Sequence, residues 1–144
     1  MILLDTNVVS EVWKRRPNSA VITWLDSQLA TSLYLCTPVL AELHYGIERL
    51  ASSKRKDNVR EYVDRLETDL YRGRILVVDI AAASEFGRLA AKREQIGRRI
   101  EPMDALIAAI ALSRGAALAT RDTSDFADLG LELINPFERS ALTR

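Results

Sequence analysis

Apolar residues recur along this chain with two alternating periods. Short, nearly unbroken apolar runs stand at Ile2–Leu4, Leu33–Cys36, Arg74–Val78 and Ala116–Thr120, and a last one, Leu131–Ile134, precedes Pro136. Runs of this length between turn signals predict buried strands, the last lying at a sheet edge. Between them the apolar positions return every third or fourth residue, the period of a helix with one buried face. A first helix is expected from Val8 to about Arg15, stopped before Pro17. Asn18 can cap a second, in which Val21, Ile22, Trp24, Leu25 and Leu29 supply the apolar side. Thr37-Pro38 opens a third carrying Val39, Leu43, Ile47 and Leu50, with the threonine read as the cap and the proline as the first helical residue. Val59, Tyr62, Val63, Leu66 and Leu70 mark a fourth, closed by Gly73 and forming with the third an arm across one long crossover. Asp79 can cap a fifth that reaches about Ile96 and stops at Gly97; Pro102 opens a sixth with Met103, Leu106, Ile107, Ile110 and Ala111, ending at Gly115. Strands that alternate with helices predict an α/β fold, a three-layer α/β/α sandwich around a mainly parallel sheet. The 144 residues hold no repeat or linker, so one domain spanning 1–144 is expected.

That order of elements gives the acids a common address. Ligands of an open parallel sheet gather outside the carboxyl ends of its strands. Asp5 follows the first strand, Asp122 follows the strand that ends at Thr120, and Asp125 is three residues further on. Glu42 lies just inside the helix after the second strand and Asp104 in the first turn of the helix opened by Pro102, so both reach the same edge. Ala108 and Ala111 on the Asp104 side of that helix permit a close approach to the sheet. Carboxylates that converge repel one another and raise at least one pKa unless a cation compensates. Mg²⁺ or Mn²⁺, which favour carboxylate and water oxygens, can ready a water and neutralise a phosphodiester in its transition state. The chemistry expected is hydrolytic phosphodiester cleavage without a covalent intermediate. Spacing alone leaves other uses open for each acid. Asp104 suits a helix first turn and Glu42 a helix surface; Asp122 and Asp125 suit turns; Thr6, Asn7 and Thr120 can orient the site or cap backbone.

Composition narrows the choice. Apolar residues make up 48% and charged residues 28%, the mix of a globular domain. No apolar run is long enough for a bilayer span, and Met1-Ile-Leu-Leu-Asp5 lacks the layout of a signal peptide, so a cytoplasmic location is expected. Net charge is zero, which gives no global cationic signature for a nucleic-acid binder. Local clusters at Lys14-Arg-Arg16, at Lys54-Arg-Lys56 and at Arg88, Lys92, Arg93, Arg98 and Arg99 can track phosphates or simply face solvent. Cys36 is the single cysteine and His44 the single histidine. No internal disulfide or cysteine zinc site is possible, Cys36 reads as a buried thiol, His44 as a packing or surface residue, and nucleophile triads are poorly supported. A phosphotransfer protein fits less well, because Asp5-Thr-Asn7 lacks a second aspartate two residues on and no lysine follows the late strand. A binding module with an unused metal site is the remaining competitor.

Four segments, Leu3-Leu-Asp-Thr-Asn-Val-Val-Ser10, Thr37-Pro-Val-Leu-Ala-Glu-Leu43, Pro102-Met-Asp-Ala-Leu-Ile-Ala108 and Ala119-Thr-Arg-Asp-Thr-Ser-Asp-Phe126, resemble the successive motifs of the PIN-domain toxins of the VapC and FitB-like branch. The resemblance spans essentially the whole chain. It implies a PIN-like fold and a Mg²⁺- or Mn²⁺-dependent endoribonuclease, the toxin of a toxin-antitoxin pair. It places Asp5, Glu42, Asp104 and Asp122 in the acidic quartet, with Asp125 as an alternative fourth ligand, and Thr6, Asn7 and Thr120 in support. It further implies an RNA substrate, a homodimer, and an antitoxin that enters the active groove while its other end binds promoter DNA.

Overall fold

The computed structural model describes residues 1–139. Five parallel strands form one sheet in the order β3-β2-β1-β4-β5, with β1 (Ile2–Leu4) at its centre, β2 (Leu33–Cys36) and β4 (Ala117–Ala119) beside it, and β3 (Ile75–Leu76) and β5 (Leu133–Ile134) outside. Ile2 stands opposite Leu33 on one side and Ala117 on the other, so the carboxyl ends of the three inner strands come level. The sheet is wholly parallel. Leu3, Leu4, Leu35 and Leu118 are buried from both faces, as the continuous apolar runs predict.

Helices cover those faces. They are α1 (Thr6–Glu11), α2 (Ser19–Ser27), α3 (Thr37–Glu48), α4 (Lys54–Arg65), α5 (Ile80–Gln95) and α6 (Pro102–Arg114). Asn18 and Asp79 cap as the sequence predicts, accepting the backbone N–H of Ala20 and Ala82. Several boundaries differ: Leu29, expected on the apolar side of the second helix, lies past the end of α2 and is exposed, and the expected last strand Leu131–Ile134 pairs only at Leu133–Ile134. The first helix starts two residues early because the Asp5 carboxylate accepts the N–H of Thr6, and it stops at Glu11, whose side chain turns to accept the N–H of Asn18 at 3.0 Å. At α3 the cap position falls on Cys36, without a side-chain bond, and Thr37 is the first helical residue. The expected strand Arg74–Val78 shrinks to two residues because β2, its pairing partner, ends at Cys36; Val77 and Val78 are left exposed. The arm across the crossover is α3 with α4, and α4 runs on into a π-helical turn at Leu66–Leu70. Trp13 meets Tyr62 edge to face at 5.2 Å, pinning the arm to the end of α1.

The helix with the most buried residues is α6, with Ala105, Ile107, Ala108, Ala109, Ile110 and Ala111 all buried. Small side chains let it lie close to the sheet, and the first turn, with Asp104, is carried to the strand ends. Gly115 ends the helix at φ 64°, and Ala116 donates back to the Ala111 carbonyl. A left-handed residue there aims the chain straight into β4. Gly115→Ala is expected to cost about 1 kcal/mol, or roughly 3–4 °C in a thermal melt, because an alanine methyl disfavours positive φ.

Candidate metal centre

Asp5 is the centre of the site. It ends the middle strand, its N–H donates to the Ala119 carbonyl at 2.9 Å, and it is 4% exposed. Its Oδ1 accepts the Thr6 N–H at 2.8 Å; its Oδ2 accepts the Thr120 hydroxyl at 2.7 Å and the Asn7 amide at 3.2 Å. Burial pushes this carboxyl above the usual carboxylate range. The bonds from Thr120 and Thr6 work against that rise, and the charges of Glu42 and Asp122 add to it.

Thr120 is completely buried at the end of β4, and its Oγ1 also accepts the Asp122 N–H at 3.0 Å. Asn7 spans the gap on the solvent side: its Nδ2 donates to Asp122 Oδ2 at 3.0 Å, and its Oδ1 accepts the Arg121 N–H at 3.2 Å. Thr6 donates its hydroxyl to Glu42 Oε1 at 2.8 Å. Thr6, Asn7 and Thr120 thus each bond an acid of the site, where spacing left backbone capping equally open.

Glu42 and Asp104 are half-buried; Asp122 and Asp125 are exposed. Asp104 is pushed up to about 7, first by burial and then by the like charges of Asp5, Glu42, Asp125 and Asp122. Acids from β1, α3, α6 and the loop after β4 therefore act on one point, which separates Asp104 from an ordinary first-turn aspartate. A cleft of about 400 Å³ opens beside Asp104 and Asp125, walled by Arg93, Arg98, Arg99 and Glu101.

Among the described residues, no group of three or more His, Cys, Asp or Glu side chains is drawn together closely enough to cage a metal ion as it stands. The donor set nevertheless fits one class of ion. Carboxylates alone, ranging from the buried Asp5 to the exposed Asp122 and Asp125 and mutually repelling, match a hard divalent cation that keeps several waters and takes one or two protein ligands directly. No cysteine joins them: the Cys36 thiol is fully buried and pushed up to about 12, chiefly by burial. His44 is exposed and faces Glu67 on the arm.

Two residues of this region escaped the sequence reading. Arg93, grouped there with phosphate-tracking cations, is 3% exposed and turned inward. The signal was its spacing, since Ala82, Phe86, Leu89 and Arg93 fall on one apolar stripe of α5. Glu11 is buried beside Lys14 and Arg121; burial alone would raise its carboxyl, but Lys14, the Asn18 N–H and Arg121 hold it below its usual value. Arg121 also lies over the Phe137 ring at 3.9 Å, which fixes the backbone just before Asp122.

A wholly parallel sheet of order β3-β2-β1-β4-β5 with acids gathered at its carboxyl edge defines a class of α/β domain with an acidic site at the strand ends. The PIN domain model matches residues 2–131, and the chain belongs to that family. It is 44% identical over 138 residues to the plasmid stability protein StbB of Pseudomonas syringae pv. tomato, covering 96% of this chain and 99% of that one. It is 39% identical, with the same coverage, to the VapC ribonuclease Y4jK of Sinorhizobium fredii. A solved structure of FitAB bound to a DNA fragment, IR36, superposes with a TM-score of 0.91 at 34% identity, covering 97% of this chain and 98% of that one.

Proposed function

We propose that this chain is a divalent-metal-dependent endoribonuclease and the toxin of a toxin-antitoxin pair, its 144 residues making one nuclease domain. The observation that carries the reading is the half-buried Asp104, with four other acids, from the end of β1, from α3 and from the loop after β4, bearing on it. The VapC ribonuclease relative supplies RNA as the substrate class, and the FitAB structure on a DNA fragment supports a protein partner with which the chain is held on DNA. Exposed apolar side chains at Val77, Val78 and Ile80 support a homodimer. No described helix is long and apolar enough to cross a membrane.

Asp5, Asp104 and Asp122 or Asp125 are assigned as ligands of Mg²⁺ or Mn²⁺. Of the last two, Asp125 faces the cleft with Asp104, while one Asp122 oxygen is taken by Asn7. Glu42, with Oε1 engaged by Thr6, offers its other oxygen to the cation or to the attacking water. When bound, the ion supplies positive charge to the phosphodiester and lowers the pKa of a water. Thr120 and Asn7 both donate to Asp5 Oδ2 and so hold the carboxylate in one orientation, and the Thr120 bond works against the rise that burial causes. Purified chain incubated with labelled RNA is expected to cut internally with Mg²⁺ or Mn²⁺ and not with EDTA, leaving ends without cyclic phosphate because water, not the ribose hydroxyl, attacks. Equal cutting in EDTA, or no cutting by folded protein in either metal, overturns the assignment.

A further inference from the structure

Arg93 borders the cleft beside Asp104 and Asp125 but bonds backbone carbonyls rather than carboxylates, and its guanidinium is buried against the loop that holds two of the acids. Nη2 donates to the backbone carbonyls of Asp125 at 2.6 Å and Ala127 at 2.8 Å, and Nη1 donates to that of Arg98 at 3.2 Å. Burying a guanidinium is costly, the more so with Nε left without a partner, and the three carbonyls bonded by Nη1 and Nη2 offset that cost only if both of their segments stay in place. From Asp125 the connection continues inward. The Asp125 N–H donates to the Asp122 carbonyl at 3.0 Å, the Asp122 N–H to Thr120 Oγ1 at 3.0 Å, and the Thr120 hydroxyl to Asp5 Oδ2 at 2.7 Å. A series of hydrogen bonds, joined through the backbones of Asp125 and Asp122, thus runs from the end of α5 to the central carboxylate. Arg98 reinforces the same loop, donating to the Ser124 carbonyl and pairing with Asp128, which sits at φ 62°. That left-handed conformation is unusual for a residue with a side chain and needs outside support.

We propose that Arg93 is a positioning residue for the metal centre: by clamping the carbonyls of Asp125 and Ala127 it sets where the Asp122 and Asp125 carboxylates stand relative to Asp104. The inference rests on the metal-nuclease reading and adds to it a residue about which the acidic motifs say nothing. Lysine at this position keeps the charge but not the planar fork that spans three carbonyls, and methionine keeps only the stem.

The test measures Mn²⁺ binding by electron paramagnetic resonance, RNA cleavage against Mn²⁺ concentration, and metal-free melting for wild type, Arg93→Lys and Arg93→Met. In folded variant protein the Mn²⁺ dissociation constant is expected to rise at least about tenfold, the range seen when groups that orient metal ligands are removed. KM for RNA is expected to change less than twofold, and high Mn²⁺ to restore most of the rate. A merely structural role would lower the melting temperature and leave Mn²⁺ affinity unchanged, so a Mn²⁺ constant within twofold of wild type overturns the proposal. Should neither variant fold, Arg98→Ala removes the outer half of the clamp without stranding a buried charge; it is expected to weaken Mn²⁺ severalfold, and unchanged affinity there overturns the proposal equally. Wild-type protein that binds no Mn²⁺ is a distinct result, and it overturns the nuclease reading itself.

Discussion

Asparagine in place of Asp5 or Asp104 is expected to lower metal-dependent RNA cleavage by about three orders of magnitude or more while the protein stays folded. The substitution keeps shape and nearly keeps volume, so the core around β1 and α6 has no cavity to absorb. What it removes is a negative oxygen for the cation, whose stabilisation of a phosphodiester transition state is worth several kcal/mol, and each 1.4 kcal/mol is a tenfold change in rate. At Asp5 the loss is compounded, because Thr120, Asn7 and the Thr6 N–H all donate to this carboxylate and one donor then faces an amide N–H₂. Single-turnover cleavage at saturating Mn²⁺, with melting curves beside it, makes the check. Full activity in either variant removes that acid from the site.

The same Asp104→Asn change is expected to make the metal-free protein more stable at neutral pH. An unfolded aspartate titrates near 3.9, whereas burial and its acidic neighbours lift Asp104 to about 7 in the folded protein. Between those values the folded state holds a proton that the unfolded state releases. The stability contributed is therefore complete below pH 4 and lost as pH rises through 7. Burial lifts Asp5 in the same direction, while Glu11, held low, acts only below about pH 4.5. In EDTA the wild-type melting temperature is expected to fall from pH 5.5 to pH 8, and a single pH unit of displacement corresponds to about 1.4 kcal/mol, or about 5 °C for a chain of this size. Saturating Mn²⁺ is expected to reverse the trend, since a cation that binds only the ionised, folded site adds stability as the proton leaves. Asp104→Asn is expected to flatten both dependences. A wild-type melt in EDTA that rises toward pH 8 would show that these acids do not crowd one another.

How far the sequence disclosed this arrangement depended on the kind of interaction. Strand runs and helical periods gave the sheet and all six helices, because burial on one face imposes a period that composition cannot hide. The length of β3 was not legible: Val77 and Val78 are as β-prone as any residues in the chain, but pairing depends on where the partner strand stops. The acids Asp5, Glu42, Asp104 and Asp122 could be placed at one sheet edge from element order alone. Their convergence on Asp104 could not, since it depends on how closely the alanines of α6 let that helix approach. Arg93 shows the opposite error. Charge suggested a solvent-facing cation, while its register with Leu89 and Ala82 pointed to the interior, and the geometric cue was the better guide.

The outermost strands, β3 and β5, contribute only two residues each. Neither margin of the sheet therefore presents a long row of unpaired amides and carbonyls on which a neighbouring molecule could add a strand. A protein built this way can accumulate in excess of any companion without stacking edge to edge, so an unescorted surplus is expected to remain dispersed and ready to act.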